Sequence, residues 1–204
     1  MTTAYHHGNL RSALLAQAET ALREVGVDGL SLRQVARDLG VSHGAPARHF
    51  HDKQALLDAL ALEGFEAMNA RLAEAAGSEA GFRLRFERTA RAYVSFAIDR
   101  PELLQLMYAT KHAEAASDLL RETGHRGILV ARDLIAEAQA AGDVRAGDPS
   151  MFAVVVHAHM HGLAVLASQG MLEDYTTDVI VEAALDQLWN GIAAPSPPPR
   201  STTT

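Results

Sequence analysis

Residues 31–50 read SLRQVARDLGVSHGAPARHF. Ser31-Leu32-Arg33-Gln34 has the form of a capping box, in which the serine oxygen takes the Gln34 amide and the glutamine side chain reaches back. Leu30 and Val35 flank the box as a hydrophobic staple. The short helix this predicts ends near Leu39, because Gly40 can take the positive φ that closes a helix, and Ser42 is placed to cap a second one. Two short helices across a three-residue turn make a helix-turn-helix. Val35, Ala36 and Leu39 pack the first helix, while Gly44, Ala45 and Ala47 keep the second slim enough for a DNA major groove. Ser42 and His43 would then face base edges, and Arg33, Arg48, His49 and Lys53 would surround them with cations. Lys53 also opens the next helix, whose free amides attract phosphate. The same pattern fits an ordinary helical corner that binds nothing.

Outward from this stretch, no segment alternates as a half-buried strand does, and apolar residues recur at helical spacing nearly end to end. The expected fold is all-α with about nine helices: an N-terminal three-helix helix-turn-helix domain and a larger helical domain. The first helix is predicted from about Asn9, as N-cap, to Val25, with Leu10, Leu14, Ala18, Ala21, Leu22 and Val25 on one face and Gly26 as its stop. Further helices are expected from Asp52 or Lys53 to about Ala76, Glu79 to Asp99, Pro101 to Thr110 and Glu114 to Ala141, the last with a possible kink at Gly124 and Gly127. Two strongly apolar helices follow, about Pro149 to Ser168 and Thr176 to Ala193. The tail 195–204 holds four of the seven prolines and is expected to be disordered. The expected domains are 1–52 and 53–194.

The chain has 204 residues, 48% of them hydrophobic and 21% charged, the balance of a globular protein. Its longest unbroken apolar run is six residues, Met151 to Val156, which predicts no membrane helix, since roughly 20 are needed. No secretory signal is visible at the N-terminus, so a cytoplasmic protein is expected. The absence of cysteine excludes disulfides, thiol catalysis and thiolate metal sites. A net charge of −7 taken over the whole chain argues against nucleic acid, but it is unevenly spread. Residues 1–53 hold six Lys and Arg against five Asp and Glu, with half of the ten histidines, and residues 54–204 hold 12 against 20.

The stretch from Asn9 to about Asn69 resembles the DNA-binding domain of the TetR/AcrR family of transcriptional repressors. Gly40-Val41-Ser42, His49-Phe50 and Lys53-Gln54-Ala55-Leu56-Leu57 carry the likeness. Ala47 stands where the family often has a phosphate-reaching Tyr, and Pro46 sits in the first turn of the second helix, where it removes the amide that would bond to Ser42. Arg48 or His49 is expected to replace the missing phosphate contact. The opening Tyr5-His6-His7-Gly8-Asn9-Leu10-Arg11 and His161-Gly162-Leu163 resemble a subgroup named for a Trp-His-Gly motif, with Met160 in place of the Trp. The resemblance implies a homodimeric repressor on a palindromic double-stranded DNA operator, released by a small-molecule effector of unknown identity. The DNA-facing set would be Ser31, Arg33, Ser42, His43, Gly44, Ala45, Arg48, His49 and Lys53.

In the C-terminal body, the aromatic stripe Phe82, Phe86, Tyr93 and Phe96 reads first as plain core. The family likeness implies instead an effector cavity lined by Phe86, Tyr93, Phe96, Met107, Tyr108, His157 and His161. Arg83, Arg85, Arg88 and Arg91 on the other face read as solvated. His157 and His161, at i and i+4, have the spacing some zinc sites use, but no Cys or carboxylate between Phe152 and Gln169 completes a shell, so no metal and no cofactor is expected. No catalytic triad, phosphate loop or paired carboxylates stand out, so no enzyme is expected; an all-α enzyme or metal protein built on His157 and His161 is the rival reading. The wide apolar faces of the last two helices, with Val155, Leu163, Leu185 and Trp189 as contacts, suit a four-helix dimer bundle.

Overall fold

Helix α1 spans His7–Gly29, but Gly26 inside it has φ +67° and ψ −179°, so its regular part ends at the predicted stop. The computed structural model describes residues 7–77, 79–172 and 175–193; the expected disordered tail and the residues before His7 lie outside them. Asn9 falls inside α1 rather than capping it. Leu14, Leu15, Ala18, Ala21 and Leu22 are buried at 4% exposure or less, whereas Val25, expected on the same face, is 54% exposed. The non-helical Gly26 follows Val25 directly, so the regular helix that sets the buried face stops there.

Eight α-helices and no strand occur among the described residues: α2 Leu32–Asp38, α3 Lys53–Ala76, α4 Phe82–Asp99, α5 Pro101–Lys111, α6 Asp118–Ala141, α7 Pro149–Ser168 and α8 Thr177–Ile192 follow α1. The ninth element is a single 3₁₀ turn, Pro46–Arg48, where a full helix was expected. The all-α expectation holds. Several starts are set by caps: Asp52 Oδ1 accepts from Ala55 N at 2.8 Å, Ser117 Oγ from Leu120 N at 3.2 Å and Asp148 Oδ1 from Ser150 N at 2.9 Å. α6 begins at Asp118, later than expected, because Ser117 is its cap.

The chain divides into two compact units. The first takes residues up to 69 together with 99–126. Within it α1 packs on α2 and α5, and the core is built from Leu14, Leu22, Leu56, Phe65 and Met107. α3 and α5 approach closely at Gly64, where an added Cβ would lie 2.7 Å from Met107 Sδ. α5 is tied to α6 by Lys111, whose ammonium donates to the Gly124 carbonyl at 3.1 Å and lies 6.0 Å and 5.8 Å from the ring centres of Phe65 and Tyr108. Burial pushes the Lys111 pKa down. Gly124 therefore makes room for a side chain, and α6 runs through it and Gly127 as one helix.

The second unit takes 70–98 and the residues from 127 on. Phe82, Phe86, Tyr93 and Phe96 on α4 are buried, as the stripe predicts. Arg85 departs from the solvated reading of its face. Its side chain is only 17% exposed; it donates to both Glu137 oxygens, at 2.5 and 2.8 Å, and to the Ala76 carbonyl at 2.6 Å. α7 and α8 pack together, with Ala153, Val156, Met160, Leu163 and Ala164 facing inward from α7 and Val181, Ala184, Leu185, Leu188 and Ile192 from α8. The end of α8 is pinned where Arg145 N donates to Ile192 O at 2.9 Å. By length and composition α7 is apolar enough to cross a bilayer, which the run-length reading missed because three histidines and a glycine interrupt it.

A Cβ at Gly124 would come within 2.6 Å of Lys111 Cδ and 3.1 Å of Phe65 Cζ. Gly124→Ala should therefore cost about 1–3 kcal/mol of overpacking, measured by urea denaturation. A neutral or stabilising result would show that Lys111 yields freely.

Candidate nucleic-acid interface

Ser31, in extended conformation at φ −144° and ψ 145°, caps α2 by accepting from Gln34 N at 3.2 Å. The reciprocal half of the capping box does not form. Gln34 Nε2 donates instead to Asp38 Oδ1 at 2.6 Å, and Gln34 Oε1 accepts from Arg37. The helix ends as predicted: Gly40 has φ +67°, its N–H reaches Arg37 O at 3.0 Å and the next N–H, of Val41, reaches Ala36 O at 3.0 Å. This paired closure satisfies two of the last carbonyls of α2 and turns the chain.

Beyond the turn the structure departs from expectation. An α-helix capped by Ser42 would need the residue-46 amide to donate to the Ser42 carbonyl. Pro46 has no amide, and its ring crowds that carbonyl. Ala45 N takes the bond instead, at 2.9 Å, which is an i to i−3 step. His49 N repeats it onto Pro46 O at 2.9 Å, and the element closes as the 3₁₀ turn Pro46–Arg48, whose N-cap is Ala45, with no side-chain cap bond. Pro46 thus changes the element itself, a larger effect than a local cost at a helix start.

The turn still presents the predicted residues together. Ser31, Arg33, Ser42, His43, Gly44 and Arg48 are exposed, and Ala45, His49 and Lys53 are half-buried. Pro46 and Phe50 are buried beneath them, and the Arg11 guanidinium lies 5.6 Å from the Phe50 ring centre. Arg33 and Arg48 form no ion pair among the described residues, so both guanidiniums are available to an anion. Lys53 differs: its ammonium donates to the Asp28 main-chain carbonyl at 3.1 Å, which leaves part of its donor capacity for phosphate. The amides opening α3 are not all free either, because Asp52 holds that of Ala55. His51 Nε2 is 3.2 Å from Asp52. The capping role of Asp52 was readable from its spacing three residues ahead of Ala55. The contacts Lys53–Asp28 and Arg11–Phe50 join residues far apart in the chain and leave no local signal.

In the second unit, Tyr93 and His161 share a hydrogen bond of 2.7 Å between Oη and Nδ1. His157 stacks on His161 at 5.7 Å and meets the Tyr93 ring edge-on at 5.2 Å. Burial lowers the His161 pKa from its usual 6.5. Phe86 neighbours Phe82 at 5.8 Å, and Phe96 carries the Arg71 guanidinium at 5.5 Å. Met107 and Tyr108, expected beside these residues, belong to the first unit: Met107 fills the space at Gly64, and Tyr108 meets Phe65 edge-on at 5.8 Å. Of the expected dimer contacts, Val155 is 51% exposed, but Leu163 and Leu185 are buried at 8% and 3%. They fill the seam between α7 and α8. Trp189 is half-buried against Phe82, with the Arg83 guanidinium 5.3 Å from its ring centre.

Comparison with known proteins returns one family twice. A family model described as bacterial regulatory proteins of the tetR family matches residues 14–60, and one described as a tetracyclin repressor-like C-terminal domain matches 86–188. The class A tetracycline repressor from transposon 1721 of Escherichia coli is 50% identical over 50 residues, which are 24% of this chain and only 23% of that protein. A solved structure from Rhodococcus sp. RHA1, of a protein with unknown function, is 51% identical, with a TM-score of 0.87 over 94% of this chain and 100% of that one. A bacterial regulatory protein in the tetR family from Rhodococcus RHA1 shares the fold, with a TM-score of 0.73 at 19% identity over 91% of this chain and 98% of that one.

Two outcomes follow from this geometry. Pro46→Ala restores the missing amide and should extend the 3₁₀ turn into α-helix, read as helical Cα chemical shifts over residues 43–49; unchanged shifts would mean that Gly44 and the turn, not Pro46, set the geometry. His161, with its folded pKa depressed, binds fewer protons than in the unfolded chain as pH falls below 6.5. Its contribution to stability is therefore complete above that pH and is lost on acidification. The melting temperature should drop less between about pH 7 and pH 5 in His161→Gln than in the parent. Equal drops would remove His161 from the account.

Proposed function

Because the chain belongs to the TetR family of bacterial transcription regulators, and so is a regulator and not an enzyme, we propose that it is a cytoplasmic homodimeric repressor. It binds a palindromic operator and is released by a small-molecule effector. One observation carries this reading: the Gly40 closure and the Pro46 turn leave Ser42, His43 and Gly44 exposed, and the guanidiniums of Arg33 and Arg48 are exposed and form no ion pair among the described residues. Ser42 and His43 read base edges in the major groove; Ser31, Arg33, Arg48 and Lys53 hold phosphates; Gly44 and Ala45 keep the turn slim; and His49 supports it from the half-buried side. Residues 1–52 serve as the DNA-binding part and 53–194 as the effector-binding and dimerisation part.

Dimerisation uses the outer face of α7. Met151, Val155, Ala158, His159, Gly162 and Leu166 are all exposed and fall on one side of the helix. A second copy related by a two-fold axis would cover this face and set two turns about one DNA turn apart or slightly more. Val155 remains in the interface, while Leu163 and Leu185 leave it for the core. The effector is held in the second unit by Phe86, Tyr93, Phe96, His157 and His161, which offer apolar walls and one polar cluster. An effector that binds better to the subunit arrangement unsuited to the operator shifts the population off DNA.

Selection from a random duplex pool by the purified protein should yield one palindrome. His43→Ala should change the preferred bases, and Arg48→Ala should weaken all sequences by about tenfold and lower the salt dependence. Val155→Lys should sediment as a monomer and lose the palindrome. Enrichment of no common sequence, or a parent protein that is monomeric with unchanged affinity in Val155→Lys, would overturn the proposal.

A further inference from the structure

The face that α1 was expected to bury ends in an exposed valine, and that valine borders a groove. The groove lies wholly within the first unit, between the end of α1, the start of α3 and α5, and measures about 510 Å³. Its apolar surface comes from Val25, Val27, Leu57 and Leu106. Val25 and Val27 are 54% and 37% exposed, although each is a large apolar side chain beside buried Leu57 and Leu106. Its polar lining is Asp28, Glu102, Gln54, Gln105 and Thr110; the two carboxylates are its only charged groups among the described residues, with no Lys, Arg or His. Neither carboxylate forms an ion pair among the described residues, and Lys53 reaches the main-chain carbonyl of Asp28 rather than its side chain.

We propose that this groove between α1, α3 and α5 is a small-molecule site for an amphiphilic organic cation, with an aryl or alkyl body on Val25, Val27, Leu57 and Leu106 and an ammonium group between Asp28 and Glu102. Complementarity of charge selects the occupant. A neutral apolar ligand would gain nothing from the two carboxylates, an anion would be repelled by both, and a small inorganic cation would leave the valines in water. The site is separate from the Tyr93–His161–His157 cluster of the second unit, so it stands whether or not that cluster holds an effector.

Three isosteric probes test it: 4-phenylbutylammonium, 4-phenylbutanol and 4-phenylbutanoate, titrated into the full-length protein without DNA and followed by isothermal calorimetry and amide chemical shifts. The ammonium should bind with shifts at residues 25–28 and 102–113, the alcohol about tenfold more weakly, and the carboxylate not at all. The Asp28→Asn/Glu102→Gln double variant should bind ammonium and alcohol alike. Ala109→Trp, at a groove-lining position that is exposed, should abolish binding of both by filling the space and so serves if the double variant does not fold. Equal affinity of the parent for ammonium and alcohol, shifts confined to other residues, or no binding of any probe would overturn the proposal. None of these results depends on operator binding, so failure here and failure of the repressor reading are distinguishable.

Discussion

A helix of only two turns can present side chains to a partner only if its end is closed as firmly as its start. Here that closure rests on Gly40. At φ +67° it sends its own N–H to Arg37 O and that of Val41 to Ala36 O, a geometry in which an L side chain would be strained. Because the closure satisfies the carbonyls of α2 locally, Val41 and Ser42 leave the helix at a defined angle, and the following turn can be minimal. Pro46 then limits that turn to one 3₁₀ unit. The two constraints act in sequence: Gly40 determines where the chain goes, and Pro46 determines how far it winds. Buried Pro46 and Phe50 anchor the result from beneath, so a short irregular element is held without the hydrogen-bond ladder of a longer helix.

Much of this was legible in the residues alone. The all-helical architecture follows from 3.6-residue apolar periodicity, a signal that needs no partner element to be read. The stops at Gly26 and Gly40 and the cap at Ser31 depend on backbone properties of single residues, and all three appear where the residues predict them. Three features were misjudged because they depend on competition between neighbours. Gln34 has Arg37 and Asp38 within reach as well as the α2 start, and the side-chain partners win. At Pro46 the lost hydrogen bond and the ring's crowding of the Ser42 carbonyl act together. Val25 obeys the period of α1, but it borders an open groove and stays 54% exposed.

Long-range contacts form the remainder. Lys53 reads as a phosphate ligand in its local context and serves also as a tie to Asp28, 25 residues earlier. Met107 and Tyr108 read as pocket residues through the family likeness, yet Pro101 opens a new helix after Tyr93 and Phe96, and the two belong to the other unit's core. Arg85 alternates with buried aromatics and so reads as solvated, but Glu137 and Ala76 O meet it from other elements. Helical periodicity specifies which face a residue occupies and is silent on what that face meets.

α7 shows what the same logic yields when two faces are apolar. Its inner residues Ala153, Val156, Met160 and Leu163 are buried, while Met151, Val154, Val155 and Leu166 are 40% or more exposed. A helix that is apolar all round is ordinarily covered all round. Leaving those four side chains in water forgoes the roughly 25 cal/mol per Å² that burial supplies, a cost repeated at each position along the helix. Ala158 and Gly162 on the same side keep it low enough for another helix to approach closely. The carboxylates of α8 stay on its exposed side, with Asp186 paired to Arg83, and no Asp, Glu, Lys or Arg interrupts the α7 face. A self-complementary surface needs this absence, since a charge on a two-fold face would meet its own copy. The polar residues of α7 that point inward, His157 and His161, are engaged with Tyr93.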